Sequence, residues 1–251
     1  MKQGGTTKQE QRKRIKQLIG FIFNFRYATR KQLEVFIQLI MNLSYSRRLI
    51  DYVVRHGFVK VYYDSSFKTR IYYLTNKSKE LIRGEEVYIE QYHFEKRYAG
   101  TNTFGHHNML VETYFLFKSH LDIKSWKCEW VLRIGKDKGD KIPDGLITLQ
   151  DGTKIAVEVE TSYKALEAWK TVVKLYSYDI EDAFIYHGVL IVAESRVDYD
   201  GIKTKLFNLD PEFCGERFIL ADLGMLELGM CFYQGKLIHL EEAFKLLEGI
   251  K

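Results

Sequence analysis

The chain reads Phe58-Val-Lys-Val-Tyr-Tyr-Asp64 and then Lys68-Thr-Arg-Ile-Tyr-Tyr-Leu74, with a short polar turn between the two runs. Both runs are rich in β-branched and aromatic residues, and their polar and apolar positions alternate as in a strand with one buried face. Two strands separated by so short a turn pair with each other. The sequence therefore predicts a β-hairpin over residues 58–74.

Three amphipathic helices are predicted before this hairpin. Apolar residues recur at helical spacing from Gln9 to Phe25, from Arg30 to Met41 and from Tyr45 to His56. Thr29 is expected to cap the second helix, because its hydroxyl can accept from the free N–H groups of the first turn. Thr75 is expected to cap a further short helix after the hairpin.

Three helices followed by a hairpin resemble the winged helix-turn-helix of many DNA-binding proteins. The resemblance implies that the third helix enters the major groove of double-stranded DNA and that the hairpin is a wing along the phosphate backbone. Arg47 and Arg48, near the start of that helix, would reach guanine edges or phosphates. The residues predicted to contact DNA are Arg30, Lys31, Arg47, Arg48, Arg55, Lys60, Lys68 and Arg70.

Charge is distributed unevenly along the chain. Residues 1–84 contain 18 Lys and Arg against 5 Asp and Glu, a net charge of +13, whereas residues 85–251 sum to −8 and the whole chain to +5. A basic module on a mildly acidic body is typical of a protein that binds phosphate groups through one part. Two alternatives stay open: a solvated cationic surface and a winged helix that docks onto a protein.

The second part of the chain alternates helices and strands. The predicted elements are a helix at His106–His120, strands at Trp126–Ile134, Asp144–Leu149 and Lys154–Glu160, a helix at Tyr163–Tyr178, a strand at Val189–Ala193, a helix at Arg196–Leu209 and a strand at Arg217–Ala221. A strand at Lys236–Leu240 and a helix from Glu241 follow, which would cover the sheet or form a dimer contact. The predicted fold class is α/β with two domains, the second a mixed sheet flanked by helices.

Acidic residues stand on two neighbouring strands, in Pro143-Asp144-Gly145 and Glu158-Val159-Glu160. With the order helix, three strands, helix, strand, they resemble the PD-(D/E)XK nuclease superfamily. The resemblance implies that Asp144, Glu158 and the Val159 carbonyl hold Mg²⁺ or Mn²⁺, since hard cations prefer oxygen ligands. Such a cation activates water and stabilises charge on a scissile phosphate. The alternatives are an Asp-Gly turn and an exposed strand edge.

The superfamily has a lysine where this chain has Glu160, and this departure leaves DNA cleavage open. Lys170 and Lys174, on the following helix, are available as replacements, and Glu112, on the preceding helix, is a further acid for the metal site. The residues predicted for catalysis are Asp144, Glu158, Glu160, Lys174 and Glu112.

Taken together, the chain resembles the replication-relaxation family of plasmids and integrative elements over about Lys8 to Leu223. The resemblance rests on the winged helix, the His-Asn-Met-Leu-Val-Glu helix from His107, the Pro-Asp-Gly strand, and Glu-Val-Glu-Thr-Ser followed by Lys174-Leu-Tyr. It implies a role in replication or mobilisation, with proteins of those processes as partners. Three functions stay open: a DNA-binding factor of a mobile element, a metal-dependent DNA endonuclease, and a transcriptional regulator acting through the winged helix alone.

Domain boundaries follow from these elements: a winged-helix domain at residues 1–84, a connector at 85–104 and the nuclease-like domain at 105–251. Winged-helix proteins often bind two half-sites as dimers, so a homodimer is compatible with the sequence.

Other features bear on metals and on location. His106-His107 is interpreted as a helix start with polar contacts, because no ligand spacing surrounds it. The cysteines Cys128, Cys214 and Cys231 are expected to be reduced thiols, because they are odd in number and widely separated. The first residues lack the apolar core of a signal peptide, and no apolar run is long enough to span a membrane, which predicts a cytoplasmic protein without a membrane partner.

Overall fold

The computed structural model describes residues 7–84, 88–137 and 140–248, apart from the side chains of Thr101, Asn102 and Glu248. The chain divides into two compact units, Met1–Phe104 and Gly105–Lys251. The parts of the predicted domains and connector that fall on residues 1–6, 85–87, 138–139 and 249–251 lie outside this description. The predicted mixed α/β class with two domains is confirmed.

The first unit is a small helical domain with a three-stranded antiparallel sheet of order β1-β3-β2. Its helices and strands in chain order are α1 Lys8–Phe25, β1 Ala28–Thr29, α2 Arg30–Val35, α3 Ser46–Arg55, β2 Val59–Asp64, β3 Thr69–Leu74 and α4 Asn76–Ile82. The predicted hairpin is confirmed, with β2 and β3 paired from Val59 opposite Leu74 to Asp64 opposite Thr69.

Local hydrogen bonds explain where these elements turn. The Asp64 carboxylate accepts the backbone N–H groups of Ser66 and Phe67 at 2.9 and 3.1 Å, which closes the hairpin turn. Thr29 caps α2 as predicted, because its hydroxyl accepts from Gln32 N while the Gln32 side chain accepts from Thr29 N.

Two local predictions for this unit are confirmed only in part. The second helix does not continue as an α-helix to Met41, because residues Phe36–Ile40 form a wider π turn. Thr75 occupies the N-cap position of α4, as predicted, but its hydroxyl makes no capping hydrogen bond to the helix. Its hydroxyl instead donates to the carbonyls of Gly57 and Phe58 at 2.7 and 3.1 Å, and so joins the start of α4 to the start of the hairpin.

Residues 88–104, the described part of the predicted connector, pack within the first unit. Tyr92 is buried, and its hydroxyl donates to the Arg26 carbonyl at 2.6 Å and accepts the Leu74 N–H at 3.0 Å. Phe94 stacks on Tyr73 with ring centroids 4.4 Å apart. These contacts give the segment a fixed position on the β3 strand.

The second unit is built on a seven-stranded sheet of order β10-β9-β8-β7-β6-β5-β4. Its elements are α5 Thr101–His120, which begins in the first unit, β4 Ile123–Cys128, α6 Glu129–Leu132, β5 Gly145–Leu149, β6 Lys154–Glu160, α7 Leu166–Ser177, continued by a π turn at Tyr178–Asp182, β7 Gly188–Ala193, α8 Arg196–Leu209, α9 Pro211–Arg217, β8 Phe218–Asp222, α10 Leu223–Glu227, β9 Met230–Tyr233, β10 Lys236–His239 and α11 Leu240–Glu248. Strands β4, β5 and β6 are antiparallel, and β6, β7 and β8 are parallel.

This layout contains the predicted order of helix, three strands, helix and strand, with differences at its ends. The strand predicted over Trp126–Ile134 ends at Cys128, where α6 begins and the Glu129 N–H donates to the Asp144 carbonyl at 2.8 Å. Helices α9 and α10 and strand β9 are additional to the prediction. The final strand β10 pairs with β9 and forms one edge of the sheet.

Two further predictions concern the cysteines and membrane-spanning helices. Cys128, Cys214 and Cys231 are buried free thiols, as predicted. None of the helices in the described parts of the chain combines the length and the hydropathy of a membrane span.

Candidate active site

Two acids of β6 are buried on one face of the sheet. Glu158 and Glu160 are two residues apart in a strand, so their side chains leave the same face, and each is only 4% exposed. Strand β6 lies between β5 and β7 rather than at an edge. The exposed strand edge that the sequence left open as an alternative is therefore wrong.

Asp144 lies at the start of β5 and is hydrogen-bonded to the neighbouring strand. The β5–β6 ladder ends where Gly145 faces Val157, and beyond it the Asp144 Oδ2 atom accepts the Val159 N–H at 2.9 Å. The N–H and carbonyl of one residue in a strand point to the same side. The Val159 carbonyl therefore faces the side of Asp144, and the three predicted metal ligands Asp144, Glu158 and Val159 lie together.

Close packing explains why a glycine, Gly145, follows Asp144. A Cβ atom at Gly145 would lie 2.9 Å from the indole ring of Trp126 on β4. Only glycine lets the β5 backbone approach Trp126 this closely, so Pro-Asp-Gly positions Asp144 through its third residue.

Glu158 has a cation and a phenol as partners. The Lys141 Nζ atom lies 2.5 Å from Glu158 Oε1, and the Tyr176 hydroxyl on α7 donates to the same oxygen. Burial raises the pKa of Glu158 to about 7, and the charge of Asp144 acts in the same direction. Lys141 and Tyr176 oppose that rise, because both stabilise the ionised carboxylate.

Glu160, where the resemblance to the nuclease superfamily predicts a lysine, forms an ion pair with Lys164. The Lys164 ammonium also lies over the ring of Trp169, 5.3 Å from its centroid. Burial raises the pKa of Glu160, and the hydrogen bond and charge of Lys164 limit the rise.

His106 contacts the carboxylate oxygen of Asp144 that Val159 does not bind. Its Nε2 atom lies 3.1 Å from Asp144 Oδ1. Burial alone lowers the pKa of His106, but the hydrogen bond and charge of Asp144, with the charges of Glu129 and Glu160, outweigh burial and raise it. The interpretation of His106 as a helix start is wrong, because α5 already begins at Thr101, whereas the polar contact expected of it is present.

These groups line a cleft of about 460 Å³. Its walls include His106, Lys141, Asp144, Glu158, Glu160 and Lys164. Within the described residues its lining contains five Asp and Glu against three Lys and Arg, so the cleft favours cations.

Two predicted catalytic residues lie outside this cleft. Glu112 is exposed on α5, because six residues rotate it about 240° around the helix from His106. Lys174 is exposed on α7, and Lys170 pairs instead with Glu167 at 2.6 Å. The Lys-Leu-Tyr string contributes Tyr176 to the site rather than its lysine.

Sequence reasoning missed four residues of the cleft and its support: His106, Lys141, Lys164 and Tyr176. Lys141 is three residues before Asp144 in a loop, and Lys164 is four residues after Glu160. Neither spacing indicates a contact by itself. The His106-His107 pair and the Lys-Leu-Tyr string were the signals that included such residues.

The donor atoms can be compared with the needs of a metal ion. Within the described residues, no group of three or more His, Cys, Asp or Glu side chains is arranged to hold a metal. Mg²⁺ is commonly bound by one or two carboxylates, with water and substrate phosphates completing its shell. Asp144 and Glu158 fit that mode, and they do not fit a metal site made of protein ligands alone.

The predicted DNA-contacting residues of the first unit lie on α2, α3 and the hairpin. The buried face of α3 carries Leu49, Ile50 and Val53. The exposed cations Arg47, Arg48, Arg55, Lys60, Lys68 and Arg70 have no ion pair among the described residues. Lys31 is also exposed, whereas Arg30 is partly buried and pairs with Glu34 at 3.0 Å and with Asp51 at 3.8 Å.

Comparison with known proteins gives one match. A sequence model of the family described as replication-relaxation matches residues 19–184, which include the hairpin and β4 to α7. No curated protein and no solved structure matches the chain.

Proposed function

The chain belongs to the replication-relaxation family, and we propose that it binds double-stranded DNA through its first unit and acts in the replication or mobilisation of a plasmid or other mobile element. The family links the chain to replication. The DNA-binding step rests on the residues of α3 and the β2–β3 hairpin.

A group of unpaired cations carries this proposal. Three exposed arginines on α3 and three exposed cations on the hairpin have no carboxylate within ion-pair distance among the described residues. Protein surfaces usually intersperse charges of both signs, whereas residues 1–84 carry a net charge of +13. Phosphates are the ligand class that such a surface attracts, through the release of counterions from the duplex.

The test is a titration of the full chain against a labelled duplex at several salt concentrations. The logarithm of the association constant should fall linearly with the logarithm of salt concentration, with a slope of about −0.9 per phosphate neutralised. Six contacts would give a slope near −5 by the same relation. Affinity that does not change with salt would contradict the proposal.

A second candidate function is a metal-dependent DNA endonuclease, favoured by the Asp144–Glu158 pair in the cleft of the second unit. A bound Mg²⁺ or Mn²⁺ would activate water and stabilise charge on a phosphodiester. Residues of the chain itself orient both acids. The Val159 N–H and His106 orient Asp144. Tyr176 and Lys141 orient Glu158.

Nicking of supercoiled DNA tests this second function. The wild-type chain is incubated with Mg²⁺, with Mn²⁺ or with a chelator, beside Asp144→Asn and Glu158→Gln. Metal-dependent nicking that both substitutions abolish supports an endonuclease. Duplex binding without nicking leaves the cleft outside the reaction and the first proposal intact.

A homodimer that binds two half-sites belongs to the same proposal, because winged-helix proteins often read paired sites. Sedimentation of the chain with a duplex of one or two half-sites measures it. A single copy on every duplex would contradict dimeric binding.

A further inference from the structure

The cleft contains lysines even though the motif position holds Glu160. Among its described lining residues are Lys141, which precedes β5, and Lys164, which follows β6. The predicted replacement, Lys174, is exposed outside the cleft. A phosphodiester bound at the Asp144–Glu158 pair would therefore meet Lys141 or Lys164, and their surroundings differ.

Lys141 is the cleft lysine that forms an ion pair with Glu158. Its ammonium pairs with Glu158 Oε1 at 2.5 Å, lies 5.6 Å from the ring centroid of Tyr176, and is 21% exposed. Its charge also acts on Glu160 and on Asp179. The ammonium is therefore close to the paired acids and still open to the cleft.

Lys164 has a different environment. Its ammonium pairs with Glu160 and lies over the Trp169 ring. Among the described contacts, none joins Lys164 to Asp144 or Glu158. Lys164 thus neutralises the charge of Glu160, the residue that stands where the motif has its lysine. Lys141 is then the cleft lysine that contacts the Asp144–Glu158 pair, through Glu158.

We propose that Lys141 supplies the ammonium that the nuclease motif places at Glu160, and that it binds the scissile phosphodiester of a DNA strand in this cleft. The inference rests on the second proposed function, the endonuclease. In the metal-free chain Lys141 is the counter-ion of Glu158. If a divalent cation were held by that carboxylate, the Lys141 ammonium would be released to contact a phosphate oxygen.

The reaction that Lys141 would assist is hydrolysis. The oxygen of water forms a new bond to phosphorus, the P–O bond to the leaving sugar oxygen breaks, and the proton released by water ends on that leaving oxygen. The positive charge of Lys141 would stabilise the negative charge that develops on the phosphate oxygens.

The experiment compares Lys141→Met with Lys174→Met in the full chain. Methionine keeps an unbranched side chain without the charge, and Lys174 is the matched control outside the cleft. Mn²⁺ affinity is measured by calorimetry without DNA, and nicking is measured on supercoiled DNA. We expect Lys141→Met to nick about 100-fold more slowly or worse, on the scale of losing one transition-state donor.

Mn²⁺ affinity separates the inference from a loss of structure. Lys141→Met should bind Mn²⁺ at least as tightly as wild type, because no ammonium competes for Glu158. Lys174→Met should match wild type in both measurements. Lys141→Arg, which keeps the charge and the Glu158 partner but changes the shape, should retain Mn²⁺ binding and nick more slowly than wild type.

The outcomes distinguish the two levels of the proposal. Nicking by Lys141→Met at the wild-type rate overturns the role of Lys141 and leaves the endonuclease in place. Loss of both Mn²⁺ binding and nicking in Lys141→Met also overturns it, because Lys141 then only maintains the acids. A wild-type chain that neither binds Mn²⁺ nor nicks overturns the endonuclease and this inference together.

Discussion

The Asp144 carboxylate accepts the backbone N–H of Val159 at 2.9 Å, just beyond the last ladder pair of β5 and β6. A side chain thus continues the hydrogen bonding that the backbone of β5 has ended. The other carboxylate oxygen faces His106 at 3.1 Å. Asp144 is therefore held at both oxygens, and its roles in the sheet and in the cleft can be separated by substitution.

Asp144→Ala should destabilise the fold more than Asp144→Asn does. Alanine leaves the Val159 N–H without its acceptor, which costs about 1–3 kcal/mol for a buried donor. Asparagine keeps an oxygen for that N–H but removes the charge that a metal requires. Urea unfolding in the presence of a chelator measures both variants. Equal free energies of unfolding for wild type and Asp144→Ala would contradict the structural role of this hydrogen bond.

Gly145→Ala should destabilise the second unit. Its Cβ atom would lie 2.9 Å from the Trp126 ring, and overpacking of this kind costs about 1–3 kcal/mol. Gly201→Ala is the matched control, because Gly201 lies in α8 with open space around its missing Cβ atom. That control should be stabilised by about 0.5–1 kcal/mol. Thermal unfolding that ranks the two variants in the opposite order would show that the Trp126 contact is not limiting.

The free energy of unfolding should fall as pH rises from about 4.5 to about 7 in the metal-free chain. Burial and the charge of Asp144 raise the pKa of Glu158 from 4.5 to about 7, so the folded state holds a proton that the unfolded state has released. The folded state binds more protons in this window, and stability therefore decreases with pH. One group contributes at most about 1.4 kcal/mol per pH unit.

Glu158→Gln and Glu112→Gln separate this effect from the rest of the protein. The first removes the buried titrating acid and should flatten the decline between pH 4.5 and 7. The second removes an exposed acid of α5 and should leave the wild-type profile unchanged. Profiles of wild type and Glu158→Gln that run parallel through this window would assign the decline to other groups.

His106 should add a second decline at higher pH. Its folded pKa is raised from 6.5 through Asp144, although burial alone would lower it, so the stability it contributes is present below pH 6.5 and is lost as pH rises through the folded pKa. His106→Gln should remove this part of the profile and keep the part due to Glu158. Unfolding by urea at successive pH values measures it, and an unaltered high-pH limb in His106→Gln would contradict the His106–Asp144 pair.

Much of the architecture could be predicted because it is encoded in local periodicity. Alternation and turn chemistry predicted the β2–β3 hairpin, and the Thr29–Gln32 capping box is a four-residue signal. Helix α9 had such a signal as well, because Asp210 caps it and Pro211 occupies its first turn. The end of β4 at Cys128 had none, since it depends on the bond from Glu129 N–H to the Asp144 carbonyl, a tertiary contact.

The candidate site likewise contains residues that the sequence could predict and residues that it could not. Asp144 and Glu158 were predictable because each stands at a fixed position of a strand. Lys141 was not, because its partner Glu158 is 17 residues away and the contact depends on how the loop before Asp144 folds back over α7. Glu112 and Lys174 failed to reach the cleft for the same reason: a helix repeat shows which residues share a face, and tertiary packing decides which face meets the site.

The duplex-binding surface can be tested with two double substitutions of equal charge. Arg47→Ala with Arg48→Ala removes two exposed, unpaired cations from α3, whereas Arg12→Ala with Lys13→Ala removes two exposed cations from α1. The α3 variant should bind duplex DNA more weakly by about 1–3 kcal/mol for each base edge that these arginines bind, and its salt slope should become shallower by about 1 for each phosphate that they neutralise. The α1 variant should change affinity much less, because it lowers the net charge by the same amount as the α3 variant but leaves α3 intact. Fluorescence anisotropy at several salt concentrations measures both. Equal losses of affinity in the two variants would mean that binding follows total charge alone, and α3 would no longer be the helix that enters the groove.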